Sequence, residues 1–138
     1  MGELVYPSTD SIIAYNRIIL HFIKAKRADR PSVLSHRQIE ETVLQCQELP
    51  GDVYVKAAFL LSALVQKHPF ASGNRRTAFL TIKAFIEDNG KQYPIPDLPE
   101  QARILLGIRE GFYTQSEIID WIKHGKIKPF TRRRPRIS

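Results

Sequence analysis

Two long apolar segments flank one short polar turn and dominate the hydrophobic pattern of this chain. Residues 53–66 and 77–86 show neither the alternation of a strand nor a wide polar face, and both exceed the usual strand length. Segments of this kind are typical of helices that are buried on most sides. The pattern therefore predicts two core helices joined by a polar turn at residues 68–76.

Two more helices are predicted before this pair. One begins near Ser8 after a proline, and the second opens at Ser35, which with Gln38 fits a capping box. Asp52 is expected to cap the first core helix. The first helix carries apolar residues at helical spacing, which predicts that it buries this stripe: Ile12, Ile13, Tyr15, Ile18, Ile19, Phe22 and Ile23.

Two helices are also predicted after the pair. One opens at residues 97–100, with proline in its first turn, and a shorter one opens at the capping box of Thr114 and Glu117 and closes at Gly125. No segment alternates with a period of two. The sequence therefore predicts an all-α, single-domain bundle of about six helices over residues 1–125, followed by a basic tail at 126–138.

Charge and cysteine content indicate the class of partner and the cellular compartment. The formal net charge of +7 favours anionic partners, and part of it lies in the arginine-rich tail, which is expected to be solvated. Cys46 is the single cysteine, so an internal disulfide is impossible, and it is expected to be a small buried side chain. No signal-like segment or membrane-length apolar run is present, and we expect a cytoplasmic protein without membrane contact.

The polar turn has the composition of an anion site. Pro69 disfavours helix at His68, so the first core helix is expected to end there, and Gly73 allows a sharp bend. Asn74 is expected to cap the second core helix, whose first amides would then point into the turn. Arg75 and its neighbour Arg76 add two guanidinium groups, and a phosphate is the predicted ligand.

Each of these residues also has an ordinary explanation when taken alone. His68 would then be a surface histidine at a helix C-terminus, where positive charge is favourable. Arg75 and Arg76 would be a solvated first turn, but cations at a helix N-terminus have the wrong sign for the dipole. An anion bound between the arginines and the dipole explains both cations together.

The turn resembles the signature of the Fic/Doc family, His-x-Phe-x-(Asp/Glu)-Gly-Asn-(Gly/Lys)-Arg. The corresponding residues here are His68-Pro69-Phe70-Ala71-Ser72-Gly73-Asn74-Arg75-Arg76. The resemblance implies the helical Fic/Doc fold. It also implies that ATP or another nucleotide is bound through Ser72, Gly73, Asn74, Arg75 and Arg76, and that His68 is the catalytic base.

The chain departs from the family pattern at three positions, and two of these departures point to one branch. Family members that transfer AMP have Gly where this chain has Arg75, and a second Arg where it has Phe79. A long cation at position 75 resembles the Doc branch, which transfers the terminal phosphate to a protein hydroxyl. Ser72 occupies the position of an acidic metal ligand, so the magnesium that the resemblance implies would be held more weakly, since this ion prefers carboxylate and phosphate oxygens.

The resemblance also implies partners. Doc-type members are typically toxins held by an antitoxin protein, and they modify a Ser, Thr or Tyr hydroxyl of a target protein. Residues 24–34 correspond to a flap, often a short hairpin, that pairs with the target's main chain. A solvated basic loop is an equally good interpretation of the same residues.

Two other functions remain open. A basic helical module could bind nucleic acid through its arginine tail, although the largely apolar helix after the turn does not suit a recognition helix. A catalytically inactive relative that only binds a partner or nucleotide would explain Ser72. The four histidines lack the spacing of a zinc site.

Overall fold

A computed structural model describes residues 3–23 and 30–131, with the side chain of Ile23 excluded, and contains six α-helices. They are α1 (Thr9–Ile23), α2 (His36–Glu48), α3 (Val53–Lys67), α4 (Asn74–Asp88), α5 (Gln101–Arg109) and α6 (Gln115–His124). The described ranges contain no strand, only an isolated bridge between Val33 and Phe70. The prediction of an all-α bundle is confirmed. None of these helices has both the length and the apolar character needed to cross a bilayer.

The predicted pair of apolar helices forms the centre of the bundle. α3 packs against α2, α4, α5 and α6, and α1 packs against α4 and α2. Large side chains of the pair, such as Leu60, Leu61, Ile82 and Phe85, are almost completely buried. Each contributes about 1.5–3 kcal/mol through removal from water. This core holds the end of α3 and the start of α4 together, which is where the polar turn lies.

Caps define most helix boundaries as the sequence predicted. The side chain of Asp52 accepts a hydrogen bond from the amide of Val55, and Thr114 and Glu117 form a complete capping box. Ser35 accepts from the amide of Gln38, but the backbone N–H of Ser35 donates to the carbonyl of Pro69. α2 is therefore tied at its start to the polar turn as well as capped by its own serine.

The predicted apolar stripe of α1 is partly wrong. The most buried positions are Ile12, Asn16 and Leu20, whereas Ile18 and Phe22 are 46% and 79% exposed. Apolar residues surround this helix on several sides, so their spacing alone does not identify the buried face. The buried face contains the polar Asn16 because Asn16 has hydrogen-bond partners in the turn.

The chain on either side of α5 also differs from expectation. α5 begins at Gln101, a few residues later than predicted, because Pro99 and Glu100 form a turn before it. Residues 126–131, which we assigned to a solvated tail, are partly packed on the bundle: Phe130 is buried, and Lys128 accepts a hydrogen bond from the hydroxyl of Tyr113 through its carbonyl. The rest of the predicted tail and most of the predicted flap hairpin lie outside the described residues.

Cys46 is a buried core residue, as predicted. Burial raises the pKa of its thiol to about 11, although the nearby Lys56 ammonium acts in the opposite direction. Lys56 is itself buried and donates to the carbonyls of Cys46, Gln47 and Leu49 at the end of α2. The lysine therefore satisfies carbonyls that the helix end leaves open, and the thiol remains protonated.

Replacing Tyr93 with Phe is expected to stabilise the fold. The Tyr93 hydroxyl is buried without a hydrogen-bond partner, and its ring packs edge-on against Phe79. Removing an unsatisfied hydroxyl while keeping the ring should raise the unfolding free energy by about 1 kcal/mol, measured by urea denaturation.

Tyr113→Phe is the matched control. The Tyr113 hydroxyl donates to the Lys128 carbonyl over 2.9 Å. Removing this hydroxyl should therefore lower the free energy of unfolding by about 1 kcal/mol. Equal effects of the two substitutions would contradict this account.

Candidate functional site

The polar turn has a tightly defined backbone. α3 ends at Lys67, and His68 follows it in the left-handed conformation with φ 54° and ψ 55°. It is the one non-glycine residue with positive φ in the described part of the chain. A left-handed residue followed by proline stops the helix at His68, as predicted, and places the imidazole at the mouth of the turn.

Gly73 is required where the turn enters α4. Its φ is +76°, and a Cβ on it would lie 3.3 Å from both Asn16 Nδ2 and Leu20 Cδ2. The predicted cap residue is wrong by one position: Gly73 occupies the N-cap, and Asn74 is the first residue of α4. Glycine has no side chain to cap the first amides of the helix, so these amides face the turn without a side-chain cap.

Asn74 holds the turn closed from inside. Its side chain is buried, its Oδ1 accepts from the Phe70 amide over 2.9 Å, and its Nδ2 donates to the Phe70 carbonyl over 2.8 Å. This reciprocal pair fixes the three residues between them. The structure thus gives Asn74 a positioning role, and the direct phosphate contact that we assigned to it stays a prediction.

Asn16 supports the same turn from α1, and the sequence analysis missed it. Its Nδ2 donates to the carbonyl of Ser72 over 2.9 Å and to the hydroxyl of Thr77 over 3.1 Å. Asn16 lies four residues after Ile12 and four before Leu20, on one helix face. A polar amide on this otherwise apolar face was the available signal.

The segment before α2 lies along the other side of the turn. The amide of Leu34 donates to the carbonyl of Pro69 over 2.8 Å, and the amide of Ala71 donates to the carbonyl of Ser32 over 3.0 Å. The main chain of residues 32–35 therefore holds residues 69–71 in place. This contact lies at the C-terminal end of the predicted flap.

His68 is exposed, and its ring lies close to the last turn of α3. Its Nδ1 lies 3.4 Å from the carbonyl oxygen of Val65. In the tautomer that carries the proton on Nδ1, this nitrogen donates to the carbonyl and Nε2 carries the lone pair. The ring can then accept a proton from a group on its other side.

One cavity of about 350 Å³ brings all the predicted site residues together. It is lined by His68, Ser72, Gly73, Asn74, Arg75 and Arg76. Arg109, at the end of α5, lines it too and was missed, because nothing in the sequence relates residue 109 to the turn. The cavity thus has three arginines and a histidine on its walls.

One arginine of this cavity has a carboxylate as a neighbour. A guanidinium nitrogen of Arg76 lies 4.0 Å from a carboxylate oxygen of Asp97, and both side chains are more than half exposed. Exposed pairs at this separation contribute little and leave the cation available to another anion. The turn cavity is accordingly suited to a group with several negative charges.

A second, more apolar groove adjoins the turn cavity. It has a volume of about 500 Å³ and shares Arg75 and Arg76 with the turn cavity. Phe79 contributes to its wall, yet the Phe79 side chain is buried and packs against Tyr93 and Trp121. Position 79 therefore belongs to the core and adds no charge to the site.

The turn offers magnesium a poor set of ligands. Ser72 provides a hydroxyl at the motif position where a carboxylate would be the preferred ligand. No group of three His, Cys, Asp or Glu side chains suited to a metal occurs among residues 3–23 and 30–131. The donor chemistry of Ser72 does not fit a tightly held divalent ion.

Comparison with known proteins identifies the family. The model of the Fic/DOC family matches residues 6–86, which include the first three helices, the turn and most of α4. A search of curated proteins found no match. The family match covers more than half of the sequence and includes these residues of the cavity: His68, Gly73, Asn74, Arg75 and Arg76. The chain belongs to the Fic/DOC family.

Proposed function

We propose that this protein is a Doc-type transferase that moves the terminal phosphoryl group of a nucleotide to a Ser, Thr or Tyr hydroxyl of a target protein. The observation that carries the proposal is the single cavity that collects His68, the start of α4 and the arginines. A phosphate-binding surface and a candidate base are thus adjacent, as phosphoryl transfer to an alcohol requires.

The phosphates would lie against the start of α4. The amides from Gly73 to Arg76 supply hydrogen-bond donors and the positive end of the helix dipole, while Arg75 and Arg76 supply charge. Arg76 would neutralise the charge that grows on the transferred group. The hydrogen bonds of Asn74 and Asn16 keep this surface in shape before the nucleotide arrives.

His68 would act as the general base. With its Nδ1 proton directed to the Val65 carbonyl, Nε2 takes the proton of the target hydroxyl as that oxygen attacks the terminal phosphorus. The new O–P bond forms as the bond to the bridging oxygen breaks, and the nucleoside diphosphate leaves with that electron pair. Protein phosphate ester and nucleoside diphosphate are the products.

Two positions favour transfer of the terminal phosphate over transfer of AMP. Arg75 is partly buried beside the cavity and fills the space that glycine leaves open in AMP-transferring relatives. Phe79 is buried in the core where those relatives carry a second arginine. The AMP-transferring arrangement therefore lacks both of its characteristic features.

The target would approach along the segment before α2. Residues 32–35 already pair with the turn through main-chain hydrogen bonds, so an extended peptide held beside them would be close to His68. As in other Doc-type members, a separate antitoxin protein is the proposed inhibitor, in a cytoplasmic setting. A contact of the tail with nucleic acid concerns residues 132–138, outside the described ranges.

A binding protein without turnover is the second candidate, and Ser72 is the observation that favours it. If a divalent ion is indispensable, a hydroxyl in place of a carboxylate would leave nucleotide binding intact and slow the chemical step. The mechanism proposed above uses only side chains and amides of this chain. The transferase and the binding protein would therefore be distinguished by whether a phosphorylated product forms.

Transfer with ATP labelled separately at its α and γ positions tests the proposed reaction. Incubated with candidate target proteins, the protein is expected to pass label from the γ position alone, because Arg75 and Phe79 disfavour transfer of AMP. Label from the α position would establish AMP transfer instead. Nucleotide binding without labelling from either position would favour the binding protein.

His68→Ala is expected to lower the transfer rate at least about 100-fold, since a positioned general base contributes this much or more. Nucleotide affinity, measured by fluorescence titration, should change little because the phosphate-binding amides remain. His124→Ala is the control, since His124 is exposed at the end of α6 and lines none of the cavities described above. An unchanged rate in His68→Ala would remove this residue from the mechanism.

Ser72→Asp is expected to raise the transfer rate and make it more dependent on magnesium, because it restores a carboxylate at the edge of the cavity. Rates would be measured across a magnesium titration. Ser116→Asp adds the same charge at an exposed position of α6 and should have no effect. If neither variant is faster than the wild type, Ser72 does not replace a lost metal ligand.

A further inference from the structure

We propose that Arg109 is a phosphate-binding residue, and that it makes the turn cavity selective for a chain of several phosphates. The inference rests on the proposed function, because it assigns a further residue to the same site. It is carried by the position of Arg109 on the wall of the cavity that His68, Arg75 and Arg76 also line.

The end of α5 is anchored beside the end of α3. Leu105 and Ile108 are buried in the core, and the side chain of Gln66 donates from Nε2 to the carbonyl of Ile108 over 3.1 Å. Gln66 lies two residues before His68. The backbone next to Arg109 is thus held against the last turn of α3, which also positions the imidazole of His68. Arg109, the last residue of α5, therefore extends from a well-anchored backbone.

The two arginines of α5 have different surroundings. Arg103 donates from Nε to the carbonyl of Phe130 and lies over the ring of that residue, which gives it a structural role. Arg109 is exposed at the last position of the helix, where any cation is favourable for the dipole. The helix dipole explains a positive residue at this position, but it does not explain why three arginine residues line one cavity of about 350 Å³.

Like charges gathered around a small space repel one another unless an anion lies between them. Arg75 and Arg76 come from the start of α4, and Arg109 comes from α5. A single phosphate can be held by the amides and arginines of α4. A longer phosphate chain reaches further and engages Arg109 as well, and a guanidinium group binds phosphate oxygens through strong charged hydrogen bonds.

Isothermal titration calorimetry with inorganic tripolyphosphate and with inorganic phosphate tests this assignment without any assumption about the nucleoside. Each titration would be run with and without magnesium chloride. Arg109→Gln is expected to weaken tripolyphosphate binding about tenfold and to change phosphate binding less than about twofold, since a charged hydrogen bond to only the longer anion is lost. Arg109→Lys should recover part of the tripolyphosphate affinity.

Lys91→Gln is the matched control. It removes the same charge from an exposed residue beyond the far end of α4, and both affinities should stay unchanged. Thermal midpoints of all the variants would be compared with that of the wild type.

The possible outcomes separate the two proposals. If the wild-type protein binds neither anion, the phosphate site itself fails, and the proposed function fails with it. If the wild type binds tripolyphosphate and Arg109→Gln binds it equally well, the role of Arg109 is overturned while the proposed function stands. Equal weakening for both anions, or a loss that follows a lowered thermal midpoint, would also overturn the selective role.

Discussion

The site depends on the reciprocal hydrogen bonds between the side-chain amide of Asn74 and the backbone of Phe70. The amide is buried, so each bond is made away from competing water, and losing one would leave an unpaired polar group at a cost of about 1–3 kcal/mol. Because the pair spans the turn, it fixes the distance between the end of α3 and the start of α4. This constraint therefore sets the separation between the amides at the start of α4 and the imidazole of His68.

Several elements converge on that turn, and each does so by a different interaction. α1 contributes the amide of Asn16, the segment before α2 contributes main-chain hydrogen bonds, and α5 is held nearby through Gln66. The apolar core positions the helices, while these polar contacts set the local geometry. A rigid scaffold with a shaped turn can bind an anion without rearranging first, which reduces the entropy lost on binding.

The electrostatics of the turn oppose the stability of the empty protein. Arg75 and Arg76 lie at the positive end of α4, where the dipole disfavours cations, and the exposed carboxylate of Asp97 compensates little. Phe79, one turn later, has become part of the core. The first turn of α4 therefore carries two adjacent cations, whereas position 79 carries none, an arrangement that suits the end of a phosphate chain.

Much of the fold and most of the site could be predicted from local patterns. The length and apolarity of the two core segments determined buried helices, Pro69 determined where α3 ends, and the spacing of polar residues in the turn determined which side chains share the cavity. Each of these features depends on residues that are close together in the chain, so each can be predicted from the sequence. Only the tertiary structure decided that Asn16 and Arg109 join the turn, and that Phe130 packs on the bundle. Such contacts link residues far apart in the chain, and they depend on how whole helices pack, which local spacing does not encode.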